Sequence, residues 1–116
     1  MTVANIGGNT IAKIQICTTT KNEIGEGGKG WADAFSHVGW LDLQSGESKY
    51  SNFNAKLEES THVFLCDFHS GIYALAGRDT RMIIKGMVYD VLLIDNPMEM
   101  NEQLEIYLRK VGAWDG

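Results

Sequence analysis

Proline is almost absent from this chain: Pro97 is the one proline in 116 residues. Cysteine is scarce as well. Cys17 and Cys66 can pair at most once, which excludes a disulfide-built scaffold. Positive charge is not in excess. Ten Lys and Arg stand against fifteen Asp and Glu, for a formal net charge of −5, which argues against a broad basic footprint for nucleic acid. No apolar run approaches the roughly 20 residues of a membrane-spanning helix. The opening MTVANIGGNT places no basic residue before its apolar positions, so no secretory signal is expected, and both thiols are expected to be reduced.

What is there reads as one small globular domain. Apolar residues make up 44% and charged residues 22%, enough for a real core. Thirteen glycines beside a single proline point to many turns between short strands rather than to long helices.

The chain is organised around residues 78–111. Two apolar runs there are separated only by Lys85 and Gly86, a tight-hairpin signal, because such turns need positive φ. After Asp95-Asn96-Pro97 comes an alternating segment, with Leu104, Ile106 and Leu108 on one face and Glu105, Tyr107 and Arg109 on the other. This predicts a three-stranded antiparallel meander.

Upstream, residues 1–10 read as a flexible arm. Residues 11–20 alternate, with Ala12, Ile14, Ile16 and Thr18 facing one way and Lys13, Gln15 and Cys17 the other. Residues 21–30 read as a glycine-dense hairpin loop. Residues 31–43 form a second extended segment, in which Gly39 marks a bulge or a bend. Residues 44–60 are ambiguous: Tyr50, Phe53 and Leu57 form a weak helical stripe, and a loop that orders on a partner is the other reading. In residues 61–68, His62, Phe64, Cys66 and Phe68 share a face opposite Val63 and Leu65. Residues 69–77 read as a loop or short turn, and residues 112–116 as a tail carrying Trp114. The fold expected is all-β, with room for one short helix: a small antiparallel β-barrel of about six strands with a long mid-chain loop, spanning residues 1–116 as a single domain.

The chemistry is sparse. Residues 25–30 match G-x-G-x-x-G, but the continuation from Trp31 reads as strand, whereas a dinucleotide fingerprint opens a helix. Cys66 and His69 have a metal-like spacing with no second pair to complete four ligands. His62 and Cys66 lie roughly 13 Å apart at strand rise, and His37 stands alone in the sequence. Asp79, Asp90 and Asp95 flank turns, where Asp belongs for backbone reasons. No triad is marked, so no catalytic residue, metal ligand or cofactor is assigned and an enzyme is not expected. Trp31, Phe35, Trp40, Phe64, Phe68 and Tyr107 are aromatics that strands use to stack bases, but no basic groove accompanies them, and core or subunit contacts are the favoured reading.

The layout resembles the bacteriophage head-tail joining family, the small connector proteins also called head-completion, stopper or adaptor proteins. Ile14-Gln15-Ile16, the glycine-rich loop and Trp31 are similar to its opening strand, loop and tryptophan. Residues 39–47 followed by Tyr50 resemble its strand into "SGxE…Y". Thr61-His62-Val63-Phe64 matches "THxV". Residues 79–91 resemble "D-x-R-I-x-x-x-G-x-x-Y-x-I", and Asn96-Pro97 with Leu104-Glu105-Ile106 the closing turn and strand. The chain departs from the pattern in lacking a proline near Leu43 and Gln44, and in a longer, more apolar segment at residues 68–77.

The resemblance implies a non-enzymatic virion protein of the phage neck. It implies a homo-oligomeric ring between portal and tail that continues the DNA channel and retains packaged DNA. The implied partners are the portal or adaptor protein and the tail proteins, with DNA passing through without sequence-specific binding and no membrane involved. Assembly would take place in the bacterial cytoplasm. Within that reading Ser48, Lys49, Tyr50, Asn52, Phe53 and Lys56 are candidates to reach the lumen or a neighbour, and Ile6 and Trp114 are candidate terminal contacts. Two alternatives stand beside it: a tail-completion or terminator subunit of the same virion, and a cellular β-barrel module for peptides or oligonucleotides.

Overall fold

The structure is a computed structural model. It describes residues 6–21, 27–43 and 60–115, and of residues 19–21 and 27–29 the backbone alone. The described strands are β1 (Thr10–Lys21), β2 (Gly27–Leu43), β3 (His62–Asp67), β4 (Thr80–Ile84), β5 (Met87–Asp95) and β6 (Gln103–Ala113). All neighbours are antiparallel, in the order β1-β2-β3-β6-β5-β4, and β4 returns to β1 to close the ring. The expected all-β fold of six strands is present. The same residues include one helical turn, α1 (Ser70–Tyr73), and a turn at Pro97–Glu99.

Strand alternation builds the interior. Ala12 and Ile14 from β1, Phe64 and Cys66 from β3, Met82 and Ile84 from β4, Tyr89 and Ile94 from β5, and Leu104, Ile106 and Leu108 from β6 form one buried cluster. Each fully buried aliphatic or aromatic side chain contributes about 1.5–3 kcal/mol relative to exposure. The meander forms as expected: β4 and β5 are joined by Lys85 (φ 51°) and Gly86 (φ 77°), both left-handed, as a turn matched to strand twist requires.

Gly39 is a bend, not a bulge. It pairs with Thr10 of β1 on one side and with Cys66 of β3 on the other. Residues before it in β2 pair only with β1, and those after it pair with β3. A Cβ at Gly39 would collide with the Leu65 carbonyl oxygen and stand 2.6 Å from the Phe64 ring, so only glycine lets β2 cross here. The bulge lies at Ala34, skipped between the Ile14–Phe35 and Gln15–Asp33 pairs.

Three expectations need correction. Lys21 and residues 27–30 of the glycine-rich stretch are strand: Thr18 pairs with Gly30 and Lys21 with Gly27, so the β1–β2 ribbon runs on past the point where β4 leaves β1. The arm ends earlier than expected, since Thr10 opens β1 and the backbone N–H groups of Ile6, Gly7 and Asn9 donate to the barrel. The tail begins later, since β6 runs through Ala113. The apolar segment 68–77 also acquires a role. Ile72 and Leu75 are buried in the core, and Phe68 and Tyr73 pack against it, so this segment fills the gap that opens where β2 parts from β3. The ambiguous residues 44–59 lie outside the described residues.

Candidate functional site

A polar belt crosses five strands on the outer face. Register places Asp33, Gln15, Arg81, Asp90 and Arg109 side by side on β2, β1, β4, β5 and β6. The Gln15 Nε2 amide donates to Asp33 Oδ1 at 2.8 Å, and Arg81 Nε donates to Gln15 Oε1 at 2.7 Å. Gln15 is buried, so its amide is satisfied at both ends by partners that also fix its orientation. Further round, Arg109 Nη2 donates to Asp90 Oδ2 at 3.0 Å.

Two cation–π pairs flank this belt. The Arg81 guanidinium lies 4.3 Å from the centre of the Trp31 ring. Lys13 Nζ lies 5.2 Å from the Trp114 ring centre and 3.7 Å from Asp33 Oδ2. Trp114 is fixed from behind, its backbone N–H donating to the Gly86 carbonyl at 2.9 Å. Arg81, Val88, Val111, Ala113, Trp114 and Asp115 line an open hollow beside it.

The N-terminal segment straps over the β2–β3 seam. Ile6 N–H donates to Asp67 Oδ1 at 2.8 Å and Gly7 N–H to Asp67 Oδ2 at 3.2 Å. The Trp40 indole donates to the Ile6 carbonyl at 2.8 Å. Gly8 passes against Gly39, so closely that a Cβ on Gly8 would collide with that backbone.

Around α1, His69 caps the helical turn by accepting the Ile72 N–H at 3.1 Å. Its ring lies 5.3 Å from His37 and 4.8 Å from Phe35. His37, solitary in the sequence, is therefore part of an aromatic corner, tied through Nε2 to the Asp67 carbonyl at 3.0 Å.

At the far end of β5, Asn96 is buried and organises the turn into β6. Its side chain accepts the Asn101 N–H at 3.1 Å and donates to Asn101 Oδ1 at 2.8 Å. Met98 (φ 57°), Glu99 (φ 53°) and Asn101 (φ 56°) are all left-handed. Each such non-glycine residue costs roughly 1–2 kcal/mol. Met98 is 85% and Met100 58% exposed, so the strained turn presents a Met-Glu-Met tip to solvent.

Two carboxylates meet across β5 and β6. Asp95 pairs in register with Glu105, whose Oε1 accepts the Tyr107 hydroxyl at 2.8 Å. Burial and then the nearby Glu105 raise the Asp95 carboxyl above its ordinary range. Burial, the Glu105 hydrogen bond and the neighbouring acids push the Tyr107 phenol up. Burial, then Lys110, lowers His62. Among the described residues no three His, Cys, Asp or Glu side chains converge as metal ligands. Asp90, expected beside a turn, is mid-strand and paired with Arg109.

Of the residues singled out from sequence, Ser48, Lys49, Tyr50, Asn52, Phe53 and Lys56 lie outside the described residues. Ile6 and Trp114 are each anchored, in different places: Ile6 by Asp67 and Trp40, Trp114 at the β4–β5 turn beside Lys13. Sequence reasoning misses the belt and the exposed tip. The belt's only signal is polar alternation through Lys13, Gln15 and Cys17. The tip has none beyond Asn96-Pro97, because left-handed Met and Glu have no sequence signature. A scan against protein-family models matches none, and a search of the curated proteins returns no match.

Proposed function

We propose that this protein is a head-tail connector subunit of a bacteriophage neck: a non-enzymatic β-barrel that forms a ring between portal and tail and retains packaged DNA. The observation that carries the reading is where the family-like residues fall. Gly39 is the strand crossing, Gly86 the hairpin turn, Tyr89 a core residue and Arg81 the centre of the belt. Order and spacing of such landmarks along a closed six-stranded ring support the resemblance better than any one motif.

Charge is compatible with it. A net charge of −5 repels the phosphate backbone, as suits a conduit through which DNA slides. Leu43 of β2 pairs with His62 of β3 at the barrel end that carries the β4–β5 turn, and the residues between them remain the candidate lumen or neighbour contact.

A second reading draws on the outer face. Trp31 with Arg81 and Trp114 with Lys13 juxtapose aromatic and basic groups, the combination that binds single-stranded nucleic acid. Asp33 neutralises Lys13, which weakens that reading.

The test is mass by light scattering, on the protein alone and mixed with portal-bearing heads or with tails. Several copies bound per head is the expected result. Binding to tails alone moves the subunit to the tail side. Binding to neither, with salt-sensitive binding to oligonucleotides, replaces the connector with the module.

A further inference from the structure

We propose that the Met98-Glu99-Met100 tip of one copy docks into the Arg81–Trp114 hollow of the next, giving a head-to-tail contact between identical chains. The inference deepens the ring reading above and rests on it only for the number of copies, since the two surfaces are defined without it.

The tip and the hollow are chemically matched. The tip carries one carboxylate between two exposed methionines, whose flexible thioethers adapt to irregular apolar walls. The hollow carries one guanidinium among Val88, Val111, Ala113 and the Trp114 indole, and Val111 is itself 60% exposed. Arg81 is held ready: its Nε is bound to Gln15 and its face rests on Trp31, so little freedom is lost when it meets a carboxylate. The tip is likewise preformed, its left-handed backbone locked by Asn96. Asp115, the one acid lining the hollow, opposes Glu99.

The two surfaces sit at opposite ends of the β5–β6 pair. Met87 pairs with Ala113 beside the hollow and Asp95 with Glu105 beside the tip, roughly 25 Å away at strand rise. One chain cannot bring its own tip to its own hollow. A contact between two different patches is heterologous, and it closes into a ring when the rotation per copy divides a full turn.

Sedimentation velocity of the full chain over a concentration series tests this. The parent is expected to self-associate. Glu99→Lys and Arg81→Glu are each expected to weaken association by about tenfold or more. An equal mixture of the two variants is expected to recover it, because the ammonium introduced on one tip then meets the carboxylate introduced in the other hollow. Asp115→Asn is expected to tighten it. Arg81→Glu also removes the Gln15 and Trp31 contacts, so a second route is needed. On a Cys17→Ser background, a chain carrying both Met98→Cys and Val111→Cys is expected to form a ladder of cross-linked multimers on oxidation, while each single variant does not. A parent that stays monomeric at its solubility limit, variants that associate like the parent, a mixture without recovery, or a ladder equal in the single variants overturns the contact. If Glu99→Lys still loads normally onto heads, the contact falls and the connector reading stands. If the contact holds in solution but heads are ignored, the connector reading falls instead.

Discussion

Arg81 and Gln15 share one hydrogen bond, 2.7 Å from guanidinium Nε to amide oxygen, and it joins strands 66 residues apart in sequence. That bond continues through Gln15 to Asp33, so three strands are tied by one buried amide.

Gln15→Ala removes both hydrogen bonds and leaves Arg81 Nε without its acceptor, while Asp33 keeps Lys13. The substitution is expected to lower unfolding stability by about 1–3 kcal/mol in urea titration. Arg109→Ala, which breaks the exposed end of the same belt, is expected to cost under about 1 kcal/mol. Equal effects would show that burial of Gln15 is not what gives the belt its weight.

Asp95 sets a pH dependence. Its carboxyl, ordinarily near 3.8, is raised in the folded chain by burial and by Glu105. A raised carboxyl favours folding while protonated. Its contribution is fully present below the ordinary value and is lost as pH rises through the folded one. Asp95→Asn is therefore expected to melt higher than the parent at pH 7, with the gap closing in acid below the ordinary value. A gap that is constant with pH would assign the effect to something other than ionisation.

The two thiols should part company. Cys66 is buried, and burial, with Asp67 beside it, pushes its pKa up to about 12; Cys17 is half-buried and free. Titration with a thiol reagent at pH 8 is expected to find one reactive group in the native chain and two after denaturation. Two rapid equivalents in the native chain would mean that the ring opens readily around β3.

Two glycines make unequal demands. Gly86 has nothing near its missing Cβ and needs only its positive φ, so Gly86→Ala is expected to cost about 1 kcal/mol. Gly39→Ala must displace the Leu65 carbonyl, which is backbone, and is expected to cost about 1–3 kcal/mol or more, with loss of β2–β3 pairing. Amide exchange at Trp40 and Leu65 would report that loss directly.

The strands are legible where one face is apolar and the other polar. Leu104, Ile106 and Leu108, or Ala12 and Ile14, announce their facing by alternation alone, and the Lys85-Gly86 turn follows from φ. The paired glycines at residues 27–30 are not legible, because glycine signals loop when read locally and only the partner strand makes it extended. The helical turn at residues 70–73 shows in the sequence only as an undefined turn. Its apolar residues make sense only once β2 leaves β3 and a gap needs filling. The belt needs register between strands far apart in sequence, which periodicity within one strand does not carry.

The closed order of strands has a consequence for how the chain is born. β3 has β2 on one side and β6 on the other, and β5 also leans on β6. Until β6 emerges from the ribosome, β3 and β5 both stand with raw edges, and the apolar lining between them is open to water. β6 is thus the keystone, made after both of its neighbours. A chain cut short before residue 103 would keep every earlier hairpin and still expose two sticky borders, ready to pair with whatever strand is nearest.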